Sequence, residues 1–259
     1  MMTMEEMRQR QKEENYSYEK LGKLTGFSEE KVRKNMEEKE TDYSVLKAME
    51  EVFASKPALV IREARAEYLA QKKQGEITLD DYYALPDERR VELIDGVIYD
   101  MAAPTNIHQL IGGEIYIRFY DYIRKHKGKC IPAYAPFDVQ LDCDNKTMVQ
   151  PDLMIVCDRD KFYENKLYGA PDLVVEILSK STGKKDTILK LNKYMDAGVR
   201  EYWIVDPRKK KVIVYDFQSD GYPVIYGFED HVPVGIFGGE CKVNFSEVYE
   251  AVRFLYERE

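Results

Sequence analysis

The sequence lacks the features that define membrane, secreted and zinc-binding proteins. None of its apolar runs approaches the roughly 20 residues that a membrane-spanning helix needs, and the N-terminus is charged where a secretory signal would be apolar. Its four cysteines form no CxxC pair, and histidines are scarce. We therefore expect no membrane association, no zinc knuckle and no disulfide framework. The expected state is four reduced cysteines in a cytoplasmic protein, at Cys130, Cys143, Cys157 and Cys241.

Net positive charge is also missing, which weakens a nucleic-acid partner without excluding it. The 259 residues carry 39 Lys and Arg against 47 Asp and Glu, a formal charge of −8. All of the excess acid lies after residue 75, and a basic groove can still form on an acidic body. The length suits one large domain, or a moderate domain with a small companion.

The N-terminal segment has the pattern of short helices joined by turns. Ser17 and Ser28 are candidate N-caps, Gly26 supplies the turn between their helices, and apolar residues recur at helical spacing up to Phe53. The stretch "SYEKLGKLTGFSEEKVRK" resembles an Xre-type helix-turn-helix. That resemblance implies a DNA-binding domain over residues 1–56.

In such a domain the second helix enters the major groove. The resemblance therefore implies DNA contacts from Lys31, Arg33 and Lys34, although Glu29 and Glu30 at the helix start would face phosphates unfavourably. The alternative is a three-helix cap or dimerisation module. A polar helical linker is expected over 57–75, before a second domain over 76–259.

The second domain mixes strands and helices. Asp95-Gly96 suits a type I′ turn between two short strands, and apolar spacing after residue 106 predicts a long amphipathic helix. We expect an α/β (α+β) fold with a mixed central sheet flanked by helices. Further strands are expected at 134–141, 149–157 and 171–178, a helix at 183–197, and a final hairpin. RNA binding by this domain has no support, because aromatic and basic residues do not alternate as they do in single-strand binders. The 20 tyrosines lie at core-like spacings and are interpreted as packing residues.

Two Pro-Asp pairs precede apolar runs, and Glu176 lies inside the second run. A charge inside a buried strand needs a partner, because its desolvation is costly. Asp172 shares a strand with Glu176 and lies about 13 Å from it at about 3.3 Å per residue, too far for both to bind one small cation. Asp152 can do so if its strand is the neighbour of the Glu176 strand.

A helix face follows these strands. Asp186, Lys190 and Tyr194 fall at i, i+4 and i+8 and therefore line one side of a helix. Two carboxylates with a lysine are suited to phosphodiester hydrolysis, in which a divalent cation activates water and the lysine offsets charge on phosphorus.

Glu92 and His108 are further candidates with simpler alternatives. Glu92 is an acid in an apolar strand that could instead pair with Arg89 or Arg90 at the surface, and His108 could only cap its helix.

These motifs together resemble the Uma-type family of restriction endonucleases, within the PD-(D/E)XK nuclease superfamily. They are "RVELIDGVIYDM", "VQPDLMIVCD", "GAPDLVVEILSKST" and "DTILKLNKYMDAGVREYWIVDP". The resemblance implies a catalytic set of Glu92, Asp152, Glu176 and Lys190, with the three acids as ligands of Mg²⁺ or Mn²⁺. His108, Ser179, Asp186 and Tyr194 are further candidates to support it. Ser179 could contact substrate, but capping of the following helix is its favoured use.

One position departs from the superfamily pattern. Leu178 stands where the superfamily usually has its lysine, and the resemblance implies that this lysine has moved to the neighbouring helix, where Lys190 fits it in type and placement. The sequence therefore favours a metal-dependent DNA endonuclease acting as a homodimer, one active site for each strand. The alternative is a DNA-binding regulator whose nuclease-like domain does not cut and serves dimerisation or sensing.

Overall fold

The computed structural model describes residues 3–13, 16–37, 42–54, 72–85, 89–179, 184–219 and 222–257, with the backbone alone at residues 13, 54 and 184–187. The chain divides into two compact units, Met1–Gln71 and Lys72–Glu259. This division lies four residues before the boundary expected from the sequence. Most of the linker expected over 57–75 lies outside the described residues.

The first unit consists of helices around one small core. These are α1 (Met4–Glu13), α2 (Tyr18–Thr25), α3 (Glu29–Glu37) and α4 (Tyr43–Ala54). The core is formed by side chains from every helix, and it contains Met7, Tyr16, Leu21, Val32, Met36, Val45, Met49, Val52 and Phe53.

The turn between α2 and α3 follows the expected chemistry. The Ser17 hydroxyl accepts a hydrogen bond from the Lys20 amide, and Gly26 ends α2 with a φ of 75°, the left-handed conformation that glycine adopts without strain. A Cβ on Gly22 would lie 2.9 Å from the Phe27 carbonyl oxygen. Gly22 therefore lets α2 approach the turn closely. DNA binding by this unit stays a prediction.

The second unit is built on a six-stranded sheet in the order β11-β10-β9-β8-β5-β3, in which only β8 and β9 are parallel. A hairpin, β1-β2, and two small sheets, β4-β7-β6 and β12-β13, complete it. The strands are β1 (Val91–Ile94), β2 (Val97–Asp100), β3 (Ile131–Tyr134), β4 (Asp138–Gln140), β5 (Leu153–Val156), β6 (Phe162–Tyr163), β7 (Lys166–Tyr168), β8 (Leu173–Ile177), β9 (Glu201–Asp206), β10 (Lys211–Asp216), β11 (Val224–Gly227), β12 (His231–Pro233) and β13 (Lys242–Asn244). The helices are α5 (Leu79–Tyr83), α6 (Asn106–Lys125), α7 (Lys184–Asp196) and α8 (Phe245–Tyr256). The expected mixed sheet flanked by helices is confirmed.

Helices cover both faces of this sheet. On one face, Ile115 and Phe119 of α6 and Val248 of α8 pack against alternate residues of the central strands. On the other face, Tyr194 of α7 packs with Tyr202 of β9. The alternation of side chains along a strand assigns each central residue to one of these two cores. None of the helices in the described ranges is long and apolar enough to cross a membrane.

The β1-β2 hairpin is held by a turn that requires glycine. Asp95 and Gly96 have φ values of 50° and 74°, as a type I′ turn demands. A Cβ on Gly96 would lie 2.5 Å from the Gly75 carbonyl oxygen. The turn therefore packs directly on backbone, which fixes the position of Glu92 in β1.

The expectation of four reduced cysteines is wrong for one pair. Cys130 and Cys157 form a disulfide, while Cys143 and Cys241 are free. The pair extends the antiparallel register of β3 and β5, in which Ile131 lies opposite Val156. Close spacing of cysteines is the local signal for such a bond, and it is missing here, because the two residues are 27 positions apart and meet only through strand pairing.

The interpretation of the tyrosines as packing residues is also wrong for several of them. Tyr222 is 95% exposed, Tyr134 60% and Tyr163 58%. Tyr194 and Tyr202, in contrast, are buried as expected.

Candidate active site

Strand pairing brings Asp152 and Glu176 together. Leu153 of β5 lies opposite Val175 of β8 in the antiparallel register, so the preceding Asp152 lies next to Glu176. The Asp152 Oδ2 atom accepts a hydrogen bond of 2.7 Å from the Ile177 amide. The expectation that Asp152 occupies the strand beside Glu176 is confirmed.

Asp172 lies at the other end of β8. Its carboxylate accepts hydrogen bonds from the Cys157 amide at 2.7 Å and from Arg200 Nη1 at 3.0 Å. It therefore anchors the beginning of β8, and it is separate from the Glu176 site, as expected.

Lys190 lies between two acids. From α7 its Nζ atom donates to Glu176 Oε1 at 2.9 Å and to Glu92 Oε1 at 2.9 Å, and it is 2.8 Å from Glu92 Oε2. The Gln150 amide also donates to Glu92 Oε1 at 2.8 Å. Pairing of Glu92 with Arg89 is excluded, because Arg89 binds Asp100.

Burial makes this group of charges unusual. The side chains of Glu92, Glu176 and Lys190 are only 6%, 13% and 15% exposed. Burial raises the pKa of Glu176 to about 7, and the nearby charges of Asp152 and Glu92 raise it too, against the lowering effect of Lys190. Burial lowers the pKa of Lys190, but the charges of Glu176 and Glu92 outweigh it and hold the pKa above its ordinary value.

Tyr194 supports Glu176 from the same helix face as Lys190. Its hydroxyl donates to Glu176 Oε1 at 2.6 Å. Burial keeps the pKa of this hydroxyl well above its ordinary value, so it remains protonated and able to donate. The spacing of Lys190 and Tyr194 along α7 therefore aims two donors at one carboxylate oxygen.

His108 contacts the second acid. Its Nε2 atom is 3.0 Å from Asp152 Oδ2, while the helix cap itself is Thr105, whose hydroxyl accepts from the His108 amide. Burial lowers the pKa of His108, but the hydrogen bond and charge of Asp152 outweigh it, so the pKa lies above its ordinary value. The imidazole holds the Oδ2 atom of Asp152 and makes no hydrogen bond to the Oδ1 atom.

The arrangement fits a cation with two carboxylate ligands. Among the described residues, neither Asp152 Oδ1 nor Glu176 Oε2 has a hydrogen-bond partner, and neither atom is sealed from solvent. Mg²⁺ is commonly held by one or two carboxylates, with water and substrate phosphate completing its shell. Both oxygens of Glu92 are occupied, and within the described ranges no group of three or more His, Cys, Asp or Glu side chains is placed to hold a metal. The residues therefore fit such an ion through Asp152 and Glu176, with Glu92 holding the lysine.

A cavity of about 290 Å³ opens onto these groups. The site residues that line it are Glu92, His108, Asp152, Glu176, Ser179 and Lys190. The sequence reasoning missed Arg90, which also lines it, and Gln150, whose amide binds Glu92. The sequence indicated Arg90 only as a possible surface partner of Glu92. The signal that could have pointed to Gln150 is its position directly before the Pro151-Asp152 pair.

Two groups of expected site residues are not placed here. The Asp186 side chain lies outside the described residues. Lys31, Arg33 and Lys34 belong to the first unit, where all three are exposed, Lys31 pairs with Asp42 at 2.9 Å, and Lys34 pairs with Glu30 at 3.4 Å.

The mixed sheet flanked by helices places the second unit in the class of restriction-endonuclease-like folds. Residues 79–233 match the sequence family Uma2, described as "Putative restriction endonuclease". Since this match spans more than half of the chain, the protein belongs to that family.

The fold resembles a solved protein described as "a putative nuclease belonging to DUF820 from Anabaena variabilis ATCC 29413". The TM-score is 0.58 with 21% identity, over 68% of this chain and 99% of the other. This likeness shows the fold alone. No functionally curated protein matches the sequence.

Proposed function

We propose that this chain is a divalent-metal-dependent DNA endonuclease, with Mg²⁺ or Mn²⁺ held by Asp152 and Glu176. The observation that carries the proposal is a pair of carboxylate oxygens, Asp152 Oδ1 and Glu176 Oε2, which have no hydrogen-bond partner within the described part of the chain and belong to side chains that line one cavity with Lys190. When bound, such an ion activates water and stabilises the leaving oxygen of a phosphodiester.

The surrounding residues have distinct tasks in this proposal. His108 and the Ile177 amide hold Asp152 Oδ2 and so direct Oδ1 toward the cavity. Lys190 keeps its proton and offers positive charge to the phosphate, while Glu92 and Tyr194 position Lys190 and Glu176. Ser179, which lines the same cavity, is proposed to contact substrate.

The first unit would supply affinity for DNA. Its α3 carries Lys31, Arg33 and Lys34 on an exposed surface, as expected for a helix that approaches the major groove. Cutting both strands of a duplex favours a homodimer with one site for each strand. The proposed DNA substrate favours the cytoplasm as the compartment in which this protein acts. The Cys130–Cys157 disulfide points the other way, because such bonds are typical of oxidising compartments.

Plasmid nicking tests the proposal. Purified full-length protein with Mg²⁺ or Mn²⁺ should relax supercoiled plasmid, and Lys190→Ala should slow this by about 100-fold or more, the effect of losing one charge-stabilising donor. Lys193→Ala is the matched control, because Lys193 is on the same helix but binds Asp95 and Asp142 instead. Equal rates in wild type and Lys190→Ala would contradict the assigned lysine.

The alternative is a regulator that binds DNA without cutting it. Its specific support is Lys190, whose ammonium already balances Glu92 and Glu176 without a metal. No nicking by folded wild-type protein that still shifts DNA on a gel would establish this second function and refute the first.

A further inference from the structure

Two exposed tyrosines and the half-buried tyrosine between them lie in contact beside the candidate site. The Tyr116 ring contacts Tyr134 of β3 edge-to-face at 4.9 Å and stacks with Tyr120 at 6.1 Å. Tyr120 is 41% exposed and Tyr134 60% exposed. We refer to Tyr116, Tyr120 and Tyr134 as the tyrosine ledge.

The ledge begins where the cavity ends. Tyr134 is followed by Ala135, which lines the cavity and donates its amide hydrogen to the Asp152 carbonyl at 3.0 Å. On α6, Gln109 lines the cavity about two turns before Tyr116. A nucleic-acid strand with a phosphate at Asp152 would therefore continue across the tyrosine ledge, at the β3 edge of the sheet.

A glycine without a packing reason lies between the cavity and the ledge. Gly113 is exposed in the middle of α6, and a Cβ built on it would meet nothing within 4 Å. Such a glycine is less favourable than alanine in a helix, because glycine loses more conformational freedom on folding. Its neighbour Gly112 differs, because its Cβ would lie 3.4 Å from Ile177. Open space above Gly113 permits a ligand to approach the helix backbone closely.

The far end of the ledge is basic. The Arg124 guanidinium lies 5.9 Å from the Tyr120 ring centre, and its Nη1 donates to the Tyr120 hydroxyl at 3.1 Å. Lys125, Lys127 and Lys129 follow, all exposed. Aromatic rings beside cations are the combination that binds unpaired nucleotides, since the rings stack with bases and the cations contact phosphates.

We infer that the tyrosine ledge binds unpaired nucleotides of the substrate strand next to the candidate active site. Bases stack on Tyr120 and Tyr134, the strand passes over Gly113, and phosphates contact the cations from Arg124 onward. The substrate class is thus a nucleic acid with single-stranded or frayed bases beside the cleaved bond, in preference to continuous duplex. This inference rests on the proposed nuclease function, because only a nuclease makes the bound strand a substrate. The binding test itself does not require cleavage.

The test is binding of labelled strands to full-length protein in EDTA, where cleavage does not interfere. The probes are fluorescein-labelled oligo-deoxyadenylate, its duplex with oligo-deoxythymidylate, and an abasic strand that keeps every phosphate. Tyr120→Ala and Tyr134→Ala should each weaken oligo-deoxyadenylate binding by about 5-fold or more, the loss of one stacked base, with the abasic strand unaffected. Tyr120→Phe and Tyr134→Phe should bind as wild type, because they keep the ring. Tyr222→Ala, near the opposite edge of the sheet, is the control.

Gly113→Gln separates binding from folding. The substitution adds a helix-forming residue in open space and should raise Tm by about 2 °C, while it weakens strand binding. Equal weakening of abasic-strand binding by Tyr120→Ala and Tyr134→Ala, or no weakening of oligo-deoxyadenylate binding in any ledge variant, would overturn the inference.

A second copy of the chain is the competing occupant, because Ile117 beside the ledge is 51% exposed. A dimer seen by sedimentation that Tyr134→Ala dissociates, with strand binding unchanged, would therefore replace the inference with self-association. Nicking by the same preparations is scored separately. Failure to nick with intact ledge binding would refute the nuclease proposal alone.

Discussion

Replacing Lys190 by methionine would leave two buried carboxylates without their shared cation. Lys190 donates to both Glu176 and Glu92 at 2.9 Å, and Glu92 is only 6% exposed. Removing one partner of a buried ion pair typically costs about 3–5 kcal/mol, because the remaining charge stays desolvated. In a unit of this size each kcal/mol lowers Tm by roughly 2–4 °C, so we expect Lys190→Met to melt about 6–20 °C below wild type near neutral pH.

The loss should depend on pH in a defined direction. The pKa of Glu176 is raised to about 7 by burial, above its ordinary 4.5. Between about pH 4.5 and pH 7 the folded state therefore binds more protons than the unfolded state. The contribution of Glu176 to stability falls as pH rises through this range. Without Lys190 its pKa rises further. The deficit of Lys190→Met should be smallest near pH 5, where the carboxylate is protonated, and largest near pH 8.

Thermal unfolding followed by circular dichroism at several pH values measures this deficit, and Lys193→Met serves as the comparison. Lys193 pairs with Asp95, whose side chain is 59% exposed, and with Asp142, whose side chain is 22% exposed. Both acids are more exposed to water than Glu92, so the loss of Lys193 should cost less than the loss of Lys190. A Lys190→Met protein that melts within about 2 °C of wild type at pH 8 would refute the buried charge arrangement.

Three further outcomes are expected. Mn²⁺ at about 100 times its Kd should stabilise the fold by about 2.7 kcal/mol, and Asp152→Asn should abolish the shift in Tm; an unchanged shift in that variant would place the ion elsewhere. Reduction of Cys130–Cys157, which closes a loop of 27 residues, should destabilise wild type by about 3.5 kcal/mol but leave Cys130→Ser/Cys157→Ser unaffected, and equal sensitivity to dithiothreitol would contradict the bond. Gly96→Ala should destabilise by about 2 kcal/mol or more, because its φ is 74° and its Cβ would lie 2.5 Å from the Gly75 oxygen; a urea midpoint equal to that of wild type would refute that packing.

Local patterns in the sequence were enough to predict much of this geometry. The length of a strand excluded Asp172 as the partner of Glu176 and left Asp152, and the helical period placed Lys190 and Tyr194 on one face. The Asp95-Gly96 dipeptide predicted the turn that the structure confirms. Each of these inferences uses neighbours within one or two elements.

What the sequence could not provide depends on pairing between distant segments. The Glu92–Lys190 contact joins residues of β1 and α7, and the Cys130–Cys157 bond follows from the register of β3 with β5. The tyrosine ledge likewise combines α6 with β3. None of these three contacts has a signature in the local sequence, because the packing of the whole domain decides which distant segments of a mixed sheet lie together. The catalytic and metal-binding roles themselves stay predictions.

Lys190 has a consequence for how this protein can evolve. Many metal sites are collections of acids that repel one another until the ion arrives, so that folding depends on the ion. Here a lysine serves as a permanent internal counter-ion for Glu92 and Glu176, and the domain can therefore fold before any metal is bound. Loss of Asp152 by mutation would silence the proposed chemistry while leaving that internal balance in place. A variant of this kind would lose the proposed cleavage and keep its folded structure, so a lineage could exchange the one proposed function for the other without passing through an unfolded intermediate.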